Sequence, residues 1–90
     1  MVKVILSHEV KDFATWKSGF EAGETMRSAA GVVTTGVYTA VDNANHVTIT
    51  TEFPSVEAVQ GFLSNPALKA DMQTAGVIGA PDIRILNKVS

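Results

Sequence analysis

The sequence predicts an α+β domain with the element order β-α-β-β-α-β. Three observations carry this. Four runs rich in β-branched residues, "VKVILSHEV", "VVTTGVYTA", "HVTITTEF" and "DIRILNKV", alternate with two stretches whose apolar residues recur at helical spacing. Helix caps and turn residues stand at the junctions. The chain shows no internal repeat, low-complexity segment or linker, so residues 1–90 are expected to form one domain.

The first strand is bounded at Lys11-Asp12, and Asp12 is placed to cap the helix that follows. In that helix Phe13, Trp16, Phe20, Gly23 and Met26 recur every three or four residues and form one apolar face, with Gly31 as the stop. Strands two and three are joined through Asp42-Asn43-Ala44-Asn45, a hairpin composition. Ser55 caps a short helix that turns Val56, Val59 and Phe62 or Leu63 inward. Asn65-Pro66 breaks it and opens another turn set carrying Leu68 and Met72, which Gly76 ends. A loop, "VIGAP", leads into the last strand. This is the split βαβ, or ferredoxin-like, plan: a four-stranded antiparallel sheet of order 4-1-3-2 with both helical segments on one face.

Parity assigns the faces. Val4, Leu6 and His8 share the side of strand one that meets the helices, and Ser7 and Glu9 share the other. A hairpin pairing Val41 with His46 sets Tyr38 opposite Ile49 and Ala40 opposite Val47, on the helix side, which Ile83 and Ile85 complete. Phe13 and Trp16 come over the same edge. The expected site is therefore a cavity with His8 and Tyr38 as its polar, catalytic candidates, lined by Leu6, Phe13, Trp16, Phe20, Ile49, Met72 and Ile83 for a small apolar or aromatic ligand. The opposite face reads Ile5, Ser7, Thr35, Val37, Thr39, Thr48, Thr50, Arg84 and Leu86. No helix remains to cover it, so a homodimer is expected.

Composition narrows the function classes. A hydrophobic content of 46% in ninety residues supports one small core, and no cysteine is present to staple it. The formal charge of −2 and the even scatter of Lys and Arg offer no nucleic-acid surface. No run reaches membrane-spanning length and "MVKVILSHEV" lacks the form of a signal peptide, so a soluble, cytoplasmic protein is expected. His8, Glu9, Asp12 and His46 contain neither a His-x-x-x-His step nor a cysteine pair, and no metal is expected.

Two long stretches, "SHEVKDFATWKSGFE" and "GVYTAVDNANHVTITTEFPSVEAVQGFLSNPALKADMQTAGVIGAPDI", resemble the small dimeric α/β-barrel proteins. These are the superfamily of antibiotic biosynthesis monooxygenases and stress-responsive barrel proteins, and the likeness is strongest to short bacterial members labelled cyclases by similarity. It covers nearly the whole chain; its most specific pieces are the His8-to-Trp16 junction, the Asp42-to-Asn45 turn and "SNPALKADMQTAGV". The resemblance implies a homodimer with a ligand cavity between sheet and helices, a place used in that superfamily for cofactor-free oxygenation of aromatic polyketides, for cyclisation or for haem degradation. Haem-degrading and polyketide-oxidising members combine an asparagine on the first strand with a tryptophan elsewhere. Here the first strand carries no asparagine and Trp16 is the one tryptophan, which weakens both of those chemistries.

Two readings follow. In the first the chain is a cofactor-independent enzyme of cyclase or monooxygenase type acting on an aromatic or polyketide-like substrate, with His8 as general base and Tyr38 donating a hydrogen bond. In the second it is a non-catalytic ligand-binding or interaction module of the same fold, since one scaffold hosts many functions.

Overall fold

A computed structural model describes residues 2–89. The elements are β1 (Val2–Val10), α1 (Phe13–Ala22), α2 (Glu24–Ala29), β2 (Val33–Ala40), β3 (Asn43–Phe53), α3 (Val56–Leu63), α4 (Pro66–Thr74) and β4 (Val77–Asn87). The four strands form one sheet of order β2-β3-β1-β4, every neighbouring pair antiparallel, with the helices on one face. This is the α+β, ferredoxin-like arrangement. Among the described residues no helix is long and apolar enough to cross a membrane.

Local chemistry sets the boundaries. Asp12 caps α1, its carboxylate accepting from the Thr15 N–H at 2.9 Å, and Ser55 caps α3 by accepting from the Ala58 N–H at 3.1 Å. Asn65 accepts from the Ala67 N–H, and Pro66 occupies the first turn of α4, where a missing N–H leaves no bond unmade. Gly31 and Gly76 take φ values of +77° and +85° where their helical segments turn back to the sheet. The first helical segment is not continuous as the sequence suggests. It breaks at Gly23 into α1 and α2, and the Arg27 guanidinium donates at 2.6 Å to the Phe20 carbonyl, which also accepts from the Gly23 N–H at 3.1 Å where α1 ends.

Strand β1 follows the predicted parity: Leu6 pairs with Ile49 and His8 with Val47, on the helix side, while Ser7 pairs with Thr48 on the open side. Strand β2 departs from it. The hairpin closes with Ala40 opposite Asn43, and Thr39 then meets Val47, so Ala44, Asn45 and His46 have no partner on β2. Asn45 is drawn out of that ladder to the start of α1, where its side-chain oxygen accepts from the Phe13 N–H at 3.0 Å. Tyr38 therefore lies opposite Thr48, not Ile49, and joins the open face, whereas Val37 and Thr39, expected on that face, oppose the buried Ile49 and Val47. A second irregularity at Thr35, between Thr34 opposite Thr51 and Gly36 opposite Thr50, restores the parity expected for the start of β2. The last strand begins at Val77, earlier than expected, and shifts its register where Gly79–Pro81 pass His8.

The helix-side core consists of two clusters. One joins Val2, Val4, Val32, Phe53 and Val59; the other joins Val10, Trp16, Val47 and Ile49. Each such side chain contributes on the order of 1.5–3 kcal/mol when withdrawn from water.

Candidate functional site

Between the two clusters, beneath α1, α2 and α4, lies a cavity of about 110 Å³. Its walls are mostly apolar, with Leu6, Trp16, Phe20, Ile49 and Met72 among them, and its polar side chains are His8, Arg27, Thr51 and Asp71. Five of the seven wall residues expected from the sequence are thus brought together. Phe13 is not among the lining residues; it lies behind Trp16, with ring centroids 5.9 Å apart. Ile83 packs instead against the Val2–Val59 cluster. Tyr38 is on the other side of the sheet, 56% exposed, its ring lying across Gly36, where any side chain would collide with the phenol. The register slip in the hairpin is the reason.

His8 reaches the cavity from β1 because an even-numbered residue of that strand must face the helices. It is 4% exposed, and neither ring nitrogen has a hydrogen-bond partner. Packing holds the ring: Trp16 meets it edge to face, with centroids 5.6 Å apart and planes at 72°. Burial lowers the His8 pKa below the ordinary 6.5, and the charge of His46 lowers it further. At neutral pH the ring is therefore uncharged, one nitrogen carrying a proton and the other a lone pair, and both lack a protein partner. His46 itself faces the other side of the sheet, 3.1 Å from a Glu9 carboxylate oxygen, which also accepts from Asn43.

Arg27 is the residue that sequence reasoning passes over. It stands seven positions after Phe20 and eleven after Trp16, so helical periodicity continues the inward face through it; its charge argues for solvent instead. The structure buries it, leaving the side chain 10% exposed. Its guanidinium carbon sits 3.7 Å from the Phe20 ring centroid, and Nη2 donates to the Phe20 carbonyl and, at 3.1 Å, to Glu24. Phe20 stacks on Trp16 at 5.0 Å and 22°. One wall of the cavity is thus an unbroken ladder from a cation, Arg27, through Phe20 and Trp16 to the neutral imidazole of His8. Thr51, also buried, reaches the Val4 carbonyl at 3.4 Å. Among the described residues no group of three or more His, Cys, Asp and Glu side chains converges.

No protein-family profile matches the chain, and a comparison with curated proteins finds no match. Solved structures do match. A protein of Caulobacter crescentus, named provisionally as an antibiotic biosynthesis monooxygenase, superposes with a TM-score of 0.78 at 18% identity, over 99% of this chain and 90% of its own. SnoaB, a cofactor-independent oxygenase from Streptomyces nogalater, in a mutant form, gives 0.78 at 14% identity over 99% and 93%. A protein of Bordetella bronchiseptica, provisionally named like the first, gives 0.78 at 14% over 99% and 97%. At these identities the comparison speaks to architecture: the chain has the fold of the antibiotic biosynthesis monooxygenase-like proteins.

Proposed function

We propose that this chain binds a small apolar or aromatic molecule in the cavity between sheet and helices and acts on it without a cofactor, His8 serving as general base. The observation that carries the reading is the buried, uncharged His8 ring with both nitrogens free at the wall of an apolar cavity. Buried polar groups are ordinarily satisfied within the protein, so two free nitrogens on one ring point to a ligand that supplies the missing bonds. The likeness in fold to a cofactor-independent oxygenase supports the same direction.

In this reading the His8 ring, whose nitrogens are sealed in the ligand-free chain, turns toward the bound ligand, and an acidic O–H or activated C–H gives its proton to the bare nitrogen, leaving imidazolium and a ligand anion. Trp16 and Phe20 hold the ring plane, and the anion is the species that closes a ring or reduces dioxygen. A lowered pKa makes His8 a base that returns its proton readily once the anion has reacted. The cavity volume fixes the scale. About 110 Å³ belongs with voids that admit a single benzene-sized ring, whereas sites for drug-sized molecules run to about 300 Å³ and more. The scale therefore favours a monocyclic ligand over a polycyclic, polyketide-like one. The open sheet face is covered, in this reading, by a second copy of the chain, and the working compartment is the cytoplasm.

One observation favours the non-catalytic alternative: with Tyr38 across the sheet, His8 has no phenol beside it to share a proton transfer. Comparing His8→Ala with His8→Gln decides between the two. An enzyme loses turnover in both, by about a hundredfold or more, while keeping much of its affinity. A binding module has no turnover to lose, and Gln, which still donates and accepts, keeps more affinity than Ala. Unchanged binding and turnover in both variants would make His8 a packing residue and end the proposal.

A further inference from the structure

Taking the cavity as a ligand site, as above, we infer that its ligand is an acid: a small aromatic ring bearing a carboxylate, which Arg27 receives while the ring lies along Phe20 and Trp16. Both hydrogen bonds of the guanidinium run from Nη2, to the Phe20 carbonyl and to Glu24. The Nε–H has no partner, although the side chain is nine-tenths buried and lines the cavity. An orphaned donor on a buried cation is expensive unless something fills it, and a carboxylate supplies both an acceptor for the one remaining Nε–H and a charge opposite to the cation's.

Clasping the α1–α2 break explains only part of this arrangement. That clasp needs Nη2 and the Phe20 carbonyl; it does not need the Nε edge, nor a wall on which cation, two stacked aromatic rings and a neutral imidazole follow one another. A ligand with an acid at one end and an aromatic body matches that order of groups. The anions nearby do not occupy the place. Glu24 lies 60% exposed and meets only Nη2, and Asp71 lines the cavity from α4 but is exposed, so water screens it.

The test uses calorimetry at pH 7.5 with 4-hydroxybenzoate and its uncharged counterpart 4-hydroxybenzamide, which differ at the acid group alone. The wild-type chain is expected to bind the acid about tenfold or more tightly than the amide. Arg27→Gln should abolish that preference, whatever its effect on the amide, with folding of the variant checked by its circular dichroism and melting. Arg27→Lys should keep part of it, because the charge remains and the Nε–H is lost. If Arg27→Gln fails to fold, the wild-type ratio and Arg27→Lys decide. Equal binding of acid and amide by the wild type, or a preference that survives in Arg27→Gln, overturns the inference. Amide binding that depends on His8 but shows no acid preference overturns this inference and leaves the general reading of the cavity intact. Failure of the wild type to bind either compound at millimolar concentration removes both.

Discussion

His8 and Trp16 meet edge to face at 5.6 Å, and this contact, not a hydrogen bond, holds the buried imidazole in place. Trp16 in turn is 3% exposed and stacks on Phe20, so the ring pair couples the first strand to the first helix. Trp16→Ala should cost about 3–5 kcal/mol by the cavity it opens. Trp16→Phe should fold and keep the wall while relaxing the hold on His8, seen as a broadened imidazole proton resonance. An unchanged His8 signal in Trp16→Phe would show that other contacts fix the ring.

The same burial makes stability pH-dependent. The folded chain holds His8 with a pKa below 6.5, so below pH 6.5 the unfolded chain binds the proton more readily. The sign follows: acidification favours unfolding through the window between the lowered value and 6.5, and the penalty vanishes above 6.5. Denaturation midpoints at pH 7.5 and 5.5 should therefore differ more in the wild type than in His8→Gln. Equal differences in the two would mean that His8 does not titrate in this window.

Asn45 ties the hairpin to the helix that roofs the cavity. Asn45→Ala leaves the Phe13 N–H without its acceptor and should cost about 1 kcal/mol, lowering the melting temperature by about 4–8 °C. A shift under one degree would show that water replaces the bond at no cost.

Two glycines make a matched pair. At Gly31 φ is +77° and an added Cβ would stand 3.1 Å from Pro54 Cγ, so Gly31→Ala should destabilise by about 1–2 kcal/mol. Gly61, inside α3 with nothing within 4 Å of the same position, should gain up to about 1 kcal/mol from alanine. Chemical denaturation of the two variants should move in opposite directions.

The open sheet face presents Val33, Tyr38 and Leu86 at 52%, 56% and 43% exposure around the Ser7–Thr48 hydrogen bond. Light scattering at micromolar concentration should give twice the monomer mass. Thr48→Glu with Leu86→Glu should shift the chain to monomer by bringing like charges together. Tyr38→Ala should weaken association while leaving affinity in the cavity within about twofold. A monomer mass throughout would remove the dimer.

By itself the sequence determined the run of strands and helical segments, the caps at Asp12 and Ser55, the break at Asn65-Pro66, and the inward direction of His8. Each is a local or periodic property: a cap needs three residues, a face needs an uninterrupted alternation, and β1 pairs with β3 without interruption from Val2 to Glu9. Only the tertiary structure decided where Tyr38 points, because parity carries no further than the next bulge, and the bulge after Asn43 goes with a hydrogen bond between Asn45 and the start of a helix more than thirty residues away. It also decided the fate of Arg27. Helical spacing turns that residue inward and charge turns it outward; the contest is settled by what lies within reach, namely the carbonyl and ring face of Phe20 at the end of α1, which only the folded helix pair places there.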